Sequence, residues 1–373
     1  MSVDIQVGFD GSCPHFAKGV KKAGRNRFVL FPGVRRSKGE SEEKVGAGSR
    51  LYVRAVNTGS RPAAVQVTAD WETPQRTEHH DLGYTRHESQ NEWTMIPGWR
   101  GGARVEYRLS LPPGVTELAL YPEYNVAAVK AYVDSLKAQG VAVETMGRSR
   151  EKRPLYLISL PSPNPKARNF FLQARDHAYE TAGNYCVEGI VEFLRSGEEL
   201  AAFIRSKFNI FICPMTNPDG VYNGLSRLTW ERGADMNRVV TKPDAAHAAL
   251  KAAHDRIRPI AFMNIHNWTH KFMDGLLANE EQIAALVRQH MPDDHAHFKR
   301  WMVETSLEFL RKMRASFCPD EWKSWKNYCR DKFGAAGCTF EFPWFGLNTA
   351  DMRRKGRQAF IAFALAVVED MKL

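Results

Sequence analysis

The chain is poor in the features that mark secreted, membrane and fibrous proteins. Its six cysteines, Cys13, Cys186, Cys213, Cys318, Cys329 and Cys338, are scattered over 373 residues. Without a Cys-x-x-Cys pair or dense spacing they read as reduced thiols, not as a disulfide framework. The longest apolar run, Ala359 to Val368, has ten residues, whereas a membrane-spanning helix needs about 20. Residues Met1 to Ser12 lack a basic stretch leading into an apolar one, so no secretory leader is visible. There is no internal repeat and no long low-complexity segment. Hydrophobic residues make up 43% and charged residues 25%, which excludes wholesale disorder. The expectation is a soluble protein of the cytoplasm with no membrane partner.

Positive charge is in excess. The 52 lysines and arginines against 42 acidic residues leave +10, compatible with a nucleic-acid partner, an acidic substrate or a basic surface kept for solubility. No nucleic-acid motif is present, and aromatics are not interleaved with one basic stripe. A polyanion-binding module therefore ranks behind an enzyme, and no nucleic-acid partner is expected.

At about 150 residues per domain the length suggests two or three units. In residues 1–118, Leu51, Val53 and Ala55 alternate with Tyr52, Arg54 and Val56, and Val105, Tyr107 and Leu109 with Arg104, Glu106 and Arg108. Period two marks half-buried strands, and the turn Asn57–Pro62 reads as a hairpin loop. A small antiparallel β-sandwich is expected there. In residues 119–373 the pattern becomes α/β. Strands are expected at Pro154–Leu160, Asn169–Ala174, Phe208–Pro214, Pro259–His266 and Cys338–Phe342, with helices at Asn125–Ala138, Thr181–Arg195, Ala245–Arg256, Phe298–Arg314 and Ala350–Met371. Alternation of this kind implies a mixed, largely parallel sheet flanked by helices, with its site at the carboxyl ends of the strands.

Four segments fall at such ends. His177 and Glu180, three apart at a helix start, can point at one centre, and imidazole and carboxylate are both zinc ligands. Unaided, His-x-x-Glu is a weak signal. His266 closes an apolar strand, where a third ligand would sit; a lone histidine there is as readily a hydrogen-bonded strand terminus. Asn217-Pro218-Asp219-Gly220 is a turn by its own chemistry. It precedes Arg227 and the segment Asp235-Met236-Asn237-Arg238, whose amide and guanidinium suit bidentate capture of a carboxylate. Asp235 could orient a ligand histidine from behind. Glu341 lies inside an apolar strand, which should desolvate it, raise its pKa and fit it for general-base work; paired with an arginine it would be structural only.

This order, His-x-x-Glu, Asn-Pro-Asp-Gly with a downstream arginine, Gly-x-Asp-x-Asn-Arg, a strand ending in histidine and Thr-Phe-Glu on a late strand, resembles the zinc metallocarboxypeptidases. It is most similar to the cytosolic carboxypeptidase branch, whose members carry a β-sandwich before the catalytic domain. Gly147-Arg148-Ser149 followed by Arg153-Pro154-Leu155-Tyr156 resembles the family's strand before its zinc segment. The resemblance implies one zinc ion held by His177, Glu180 and His266, and Glu341 as general base. It further implies Arg227 polarising the scissile carbonyl and Asn237 and Arg238 binding the terminal carboxylate of a peptide or protein tail. Departures are the zinc segment, His-Ala-Tyr-Glu in place of His-Pro-Gly-Glu, and Asn223–Arg227 in place of a Gly-Asn-x-Arg-like stretch. Tyr328 is the only tyrosine between His266 and Glu341. Lys326 and Arg330 lie where the family's side-chain pocket is often lined, so an acidic C-terminal residue is the expected preference. The alternative is a zinc amidohydrolase of small N-acyl amino acids, since related deacylases share the same ligand logic. His79, His80, His87, His270, His295 and His297 read as surface histidines.

Overall fold

The computed structural model describes residues 3–33, 50–71, 81–240, 242–268, 274–292, 302–305 and 324–373. Its first ten strands are β1 (Val3–Gln6), β2 (Val20–Gly24), β3 (Arg27–Leu30), β4 (Tyr52–Asn57), β5 (Ala63–Asp70), β6 (Leu82–His87), β7 (Thr94–Pro97), β8 (Trp99–Gly101), β9 (Arg104–Leu111) and β10 (Gly114–Ala119). They form two sheets of five, ordered β1-β4-β10-β6-β7 and β2-β3-β5-β9-β8. The alternating apolar residues meet between them: Val3, Ile5, Val53 and Ala55 pack with Phe28, Leu30, Val65, Val67 and Val105. This burial is what the period-two pattern requires.

Two details differ from the sequence reading. The pair β3/β5 is parallel, so only the first sheet is antiparallel throughout. The segment Asn57–Pro62 is not a hairpin loop, because β4 and β5 lie in different sheets. Each strand covers its apolar face against the opposite sheet, and Asn57 pins the crossing by donating from Nδ2 to Arg61 O and Leu111 O.

The helices that follow are α1 (Val126–Ala138), α2 (Ala182–Leu194), α3 (Glu199–Lys207), α4 (Pro218–Tyr222), α5 (Ala245–Ile257), α6 (Glu281–His290), α7 (Trp325–Phe333) and α8 (Thr349–Asp370). Side-chain caps start several of them: Asn125, Asp244, Ser324 and Asn348 each accept from a backbone N–H in the first turn of α1, α5, α7 and α8. The strands are β11 (Ala142–Arg148), β12 (Pro154–Leu160), β13 (Arg168–Ala174), β14 (Phe208–Cys213), β15 (Ala261–His266), β16 (Gly275–Ala278), β17 (Met302–Thr305) and β18 (Ala336–Glu341). They form one mixed sheet, β11-β12-β14-β13-β15-β18-β16-β17, parallel at its centre from β14 to β18.

Both faces are covered. Phe170, Leu172, Ala174, Ile265 and Phe340 share a core with α2, α6 and α8, while Phe171 and Phe262 share one with α5 and α7. Helices α2 and α8 approach closely through glycine: a Cβ on Gly189 would lie 2.1 Å from Arg353 O, and one on Gly356 2.4 Å from Cys186 Cα. The apolar run near the C-terminus is the buried stripe of α8. The helix expected at Phe298–Arg314 falls outside the described residues except at β17, which is a strand paired with β16. Strand β16 supplies the ladder partners, Gly275 to Ala278 pairing with residues 302 to 305.

Candidate active site

Three neighbouring parallel strands deliver the site. Strand β13 ends at Ala174 and leads into the turn carrying His177 and Glu180, β15 ends on His266, and β18 ends on Glu341. His266 and Glu341 are direct partners in the β15/β18 register, so both side chains emerge on the same face, the one covered by α5 and α7. His177 and Glu180 sit in a turn ahead of α2, not on the helix. Arg175, in the left-handed region at φ 64°, bends the chain out of β13.

The three expected ligands converge. His177 Nδ1 is 2.7 Å from Glu180 Oε1, His266 Nδ1 is 2.7 Å from Glu180 Oε2, and the two Nδ1 atoms are 3.3 Å apart. All three residues are buried, with one donor atom from each within 4.8 Å of the others. Burial opposes charge on this cluster, but mutual attraction prevails: Glu180 is held at about 2 by the two imidazoles, and both imidazoles are raised by Glu180.

Polar groups behind the ligands set their orientation. His177 Nε2 is 3.1 Å from Asp235 Oδ1, and Arg227 Nη2 donates to Asp235 Oδ2 at 2.9 Å. Asp235 is half-buried, and although desolvation opposes its charge, Arg227, Arg238 and His177 keep it well below the ordinary carboxylate range. Asn237 Nδ2 lies 3.2 Å from His266 Nε2, and Asn237 Oδ1 accepts from Asn264. Asp176 accepts from Gln173, Thr216 and Asn264 and comes within 3.8 Å of His266 Nε2. His254 on α5 lies 3.1 Å from Gln173 Oε1. Tyr179 stacks parallel to the His177 ring and donates its hydroxyl to Asn267 O, joining the two ligand-bearing segments.

Sequence reasoning identified Asp235 but missed Asp176, Gln173, His254, Asn264 and Tyr179. Period two did contain a signal for Asn264, which shares a strand face with His266.

Glu341 is half-buried, but its Oε2 is shut off from solvent with no hydrogen-bond partner. Burial pushes its pKa up to about 7. Arg227 is half-buried and held above its ordinary value, burial being outweighed by Asp235. Arg238 is half-buried, its Nη1 donating to Asn237 O. The Asn-Pro-Asp-Gly segment opens α4 with Asn217 as its cap, and Asn217 Nδ2 donates to Asp176 O and Leu228 O. It thereby ties the His177 turn to the Arg227 loop. Asp219 accepts from Ser149, Glu151 N and Arg153.

The remaining candidates contact other groups. The Tyr328 hydroxyl donates to Asp255 on α5 and accepts from Lys332. Arg330 donates to Asp331. Lys326 is buried against β18, donating from Nζ to Leu277 O at 2.8 Å, and burial lowers it to about 7. His87 is a surface histidine near Ser89; His79, His80, His270, His295 and His297 lie outside the described residues, as does Cys318. The other five cysteines are buried and form no disulfide among the described residues.

Two imidazoles and a carboxylate, with an unpartnered buried carboxylate oxygen and an arginine nearby, fit a hydrolytic zinc ion that keeps an open coordination position. The mixed sheet presents this donor set at its strand ends. Residues 129–311 match the model of the peptidase M14 family, zinc carboxypeptidase. Over 196 residues the chain is 29% identical to cytosolic carboxypeptidase 6 of Mus musculus and 33% identical to that of Homo sapiens. The matches take in 50% of this chain but only 36% and 38% of those proteins, so the chain matches little more than a third of their length. A metallo-carboxypeptidase from Burkholderia cenocepacia has the same fold, with a TM-score of 0.79 at 19% identity over 100% of both chains. No helix among the described residues is long and apolar enough to cross a membrane.

Proposed function

We propose that this protein is a zinc-dependent carboxypeptidase hydrolysing the C-terminal peptide bond of peptides or protein tails in the cytoplasm. The observation that carries the reading is the convergence of His177, Glu180 and His266 beside Glu341. His177, Glu180 and His266 would hold one zinc ion. Bound there, zinc would polarise the scissile carbonyl and acidify a water molecule. Glu341, raised to about 7 by burial, accepts the proton of the attacking water and returns it to the leaving amine. Arg227 stabilises the carbonyl oxygen as it gains charge. Asn237 and Arg238 hold the terminal carboxylate, which restricts cleavage to chain ends. The N-terminal sandwich, residues 1–118, and the catalytic part, 119–373, act as two domains in this reading. The cytoplasmic placement draws on the names of the relatives.

Selectivity for an acidic C-terminal residue rests on Lys326. Its ammonium approaches Leu277 O, and Leu277 pairs with Thr339, two residues before Glu341 on the same face. Arg330 is committed to Asp331 and is the weaker partner.

The test is amino-acid release by zinc-loaded protein from peptides with free or amidated ends, varied terminal residues and an N-acyl amino acid included. Release from free ends only is expected, fastest with terminal Glu. Hydrolysis of the acyl amino acid alone would reassign the chain to the deacylases. Equal turnover of terminal Phe, Lys and Glu would remove the acidic preference.

A further inference from the structure

Arg50 enters β4 from the N-terminal sandwich, yet its guanidinium is buried against the other part of the molecule, with the residue only 2% exposed. Nη2 and Nε donate to Glu123 at 2.9 and 3.3 Å. Nη1 donates to two backbone carbonyls at the end of α4, Val221 O at 3.0 Å and Leu225 O at 3.2 Å. Those carbonyls belong to the loop that leads, two residues later, to Arg227. The sandwich grips the same loop from a second side: Gly11 N donates to Tyr222 O at 3.0 Å. Gly224, at φ +69°, passes so close that a Cβ would lie 2.0 Å from Ser12 O. Glu123 also accepts from Arg175 Nη2 at 2.9 Å, and Arg175 Nε donates to Ala178 O in the turn between His177 and Glu180.

We propose that Arg50 is a positioning residue for catalysis, through which the N-terminal sandwich sets the Arg227 loop against the metal-binding turn. This inference rests on the role of Arg227 proposed above. Five guanidinium donors in a fixed fork can satisfy a carboxylate and two carbonyls at once, which an ammonium cannot do with the same geometry. Loosening that fork frees the Arg227 loop while leaving the three ligands in place, because the ligand turn keeps its own Arg175–Glu123 contact. A misplacement on the order of 1 Å in such a group is enough to cost about 10²-fold in rate.

A double-mutant cycle with the zinc-loaded full chain tests this. Arg50→Lys should lower kcat by about tenfold with KM within about twofold and zinc content unchanged. In an Arg227→Ala background the same substitution should add less than about a twofold loss, since its effect passes through Arg227. Should Arg50→Lys fail to fold, Gly224→Ala perturbs the same loop from the Ser12 side and should give the same non-additivity. An equal fold loss in both backgrounds, or activity lost in step with zinc, would overturn the proposal. Arg227→Ala with undiminished kcat would instead remove the role of Arg227 itself, and the proposal with it.

Discussion

His266 and Glu341 stand opposite each other on adjacent parallel strands, as the last residues of β15 and β18. One is a prospective ligand and the other is not, so their functions separate by substitution. Glu341→Gln keeps the shape and removes the base. Turnover should fall by about 10²–10⁴-fold, the range of general-base catalysis, while bound zinc stays stoichiometric. Initial rates with metal analysis of the same sample decide it, and loss of zinc would make Glu341 part of the ligand set.

Asp235 serves two partners at once, His177 and Arg227. Asp235→Ala should therefore weaken zinc binding by about 10–100-fold and lower kcat as well, whereas Arg227→Ala should lower kcat alone. Chelator competition measured beside kinetics separates the two. Equal zinc affinity in Asp235→Ala and the parent would contradict the orienting role.

Asp274 and Lys355 form an ion pair in which both residues are 1% exposed. Burial lifts the Asp274 carboxyl to about 6 and lowers the Lys355 ammonium, so desolvation dominates at both ends. Lys355→Met should cost about 3–5 kcal/mol by stranding a buried carboxylate, and adding Asp274→Leu should recover most of it. Denaturant melts of the two variants read this directly. A single variant as stable as the double would show that Asp274 finds other compensation.

The His254 imidazole is fully buried between Phe171, Phe262 and Trp325, and burial pushes it down to about 3. The folded protein keeps it neutral, while the unfolded chain takes up a proton below about pH 6.5. Its contribution is intact above that pH and is lost as pH falls toward 3, at about 1.4 kcal/mol per unit. Urea melts at pH 7 and pH 5 should show a smaller loss in His254→Phe than in the parent. Identical losses would mean that other groups carry the acid sensitivity.

Much of the α/β part was legible because its strands are apolar runs closed by polar residues. Phe208–Cys213 and Ala261–His266 advertise their type, and the second also its functional end. Helices whose buried stripe is short were not legible: α6 and α7 bury three or four residues each amid many polar ones. The Asn57–Pro62 segment misled because its turn chemistry is the same whether it joins strands of one sheet or crosses between two.

What the sequence determined alone is the chemistry available: an imidazole–carboxylate pair, a second imidazole and a carboxylate, each at the end of an apolar run. Residue type and local period are properties of neighbouring positions, so they survive without any knowledge of the fold. Only the tertiary structure decided that His177 and His266, 89 residues apart, bring their Nδ1 atoms to one carboxylate. It also decided that Asp176, Gln173 and His254 line up behind them, and that Arg50 reaches the Arg227 loop across 175 residues. Such pairings depend on strand order and on which face each side chain takes, and those are settled by packing the whole sheet.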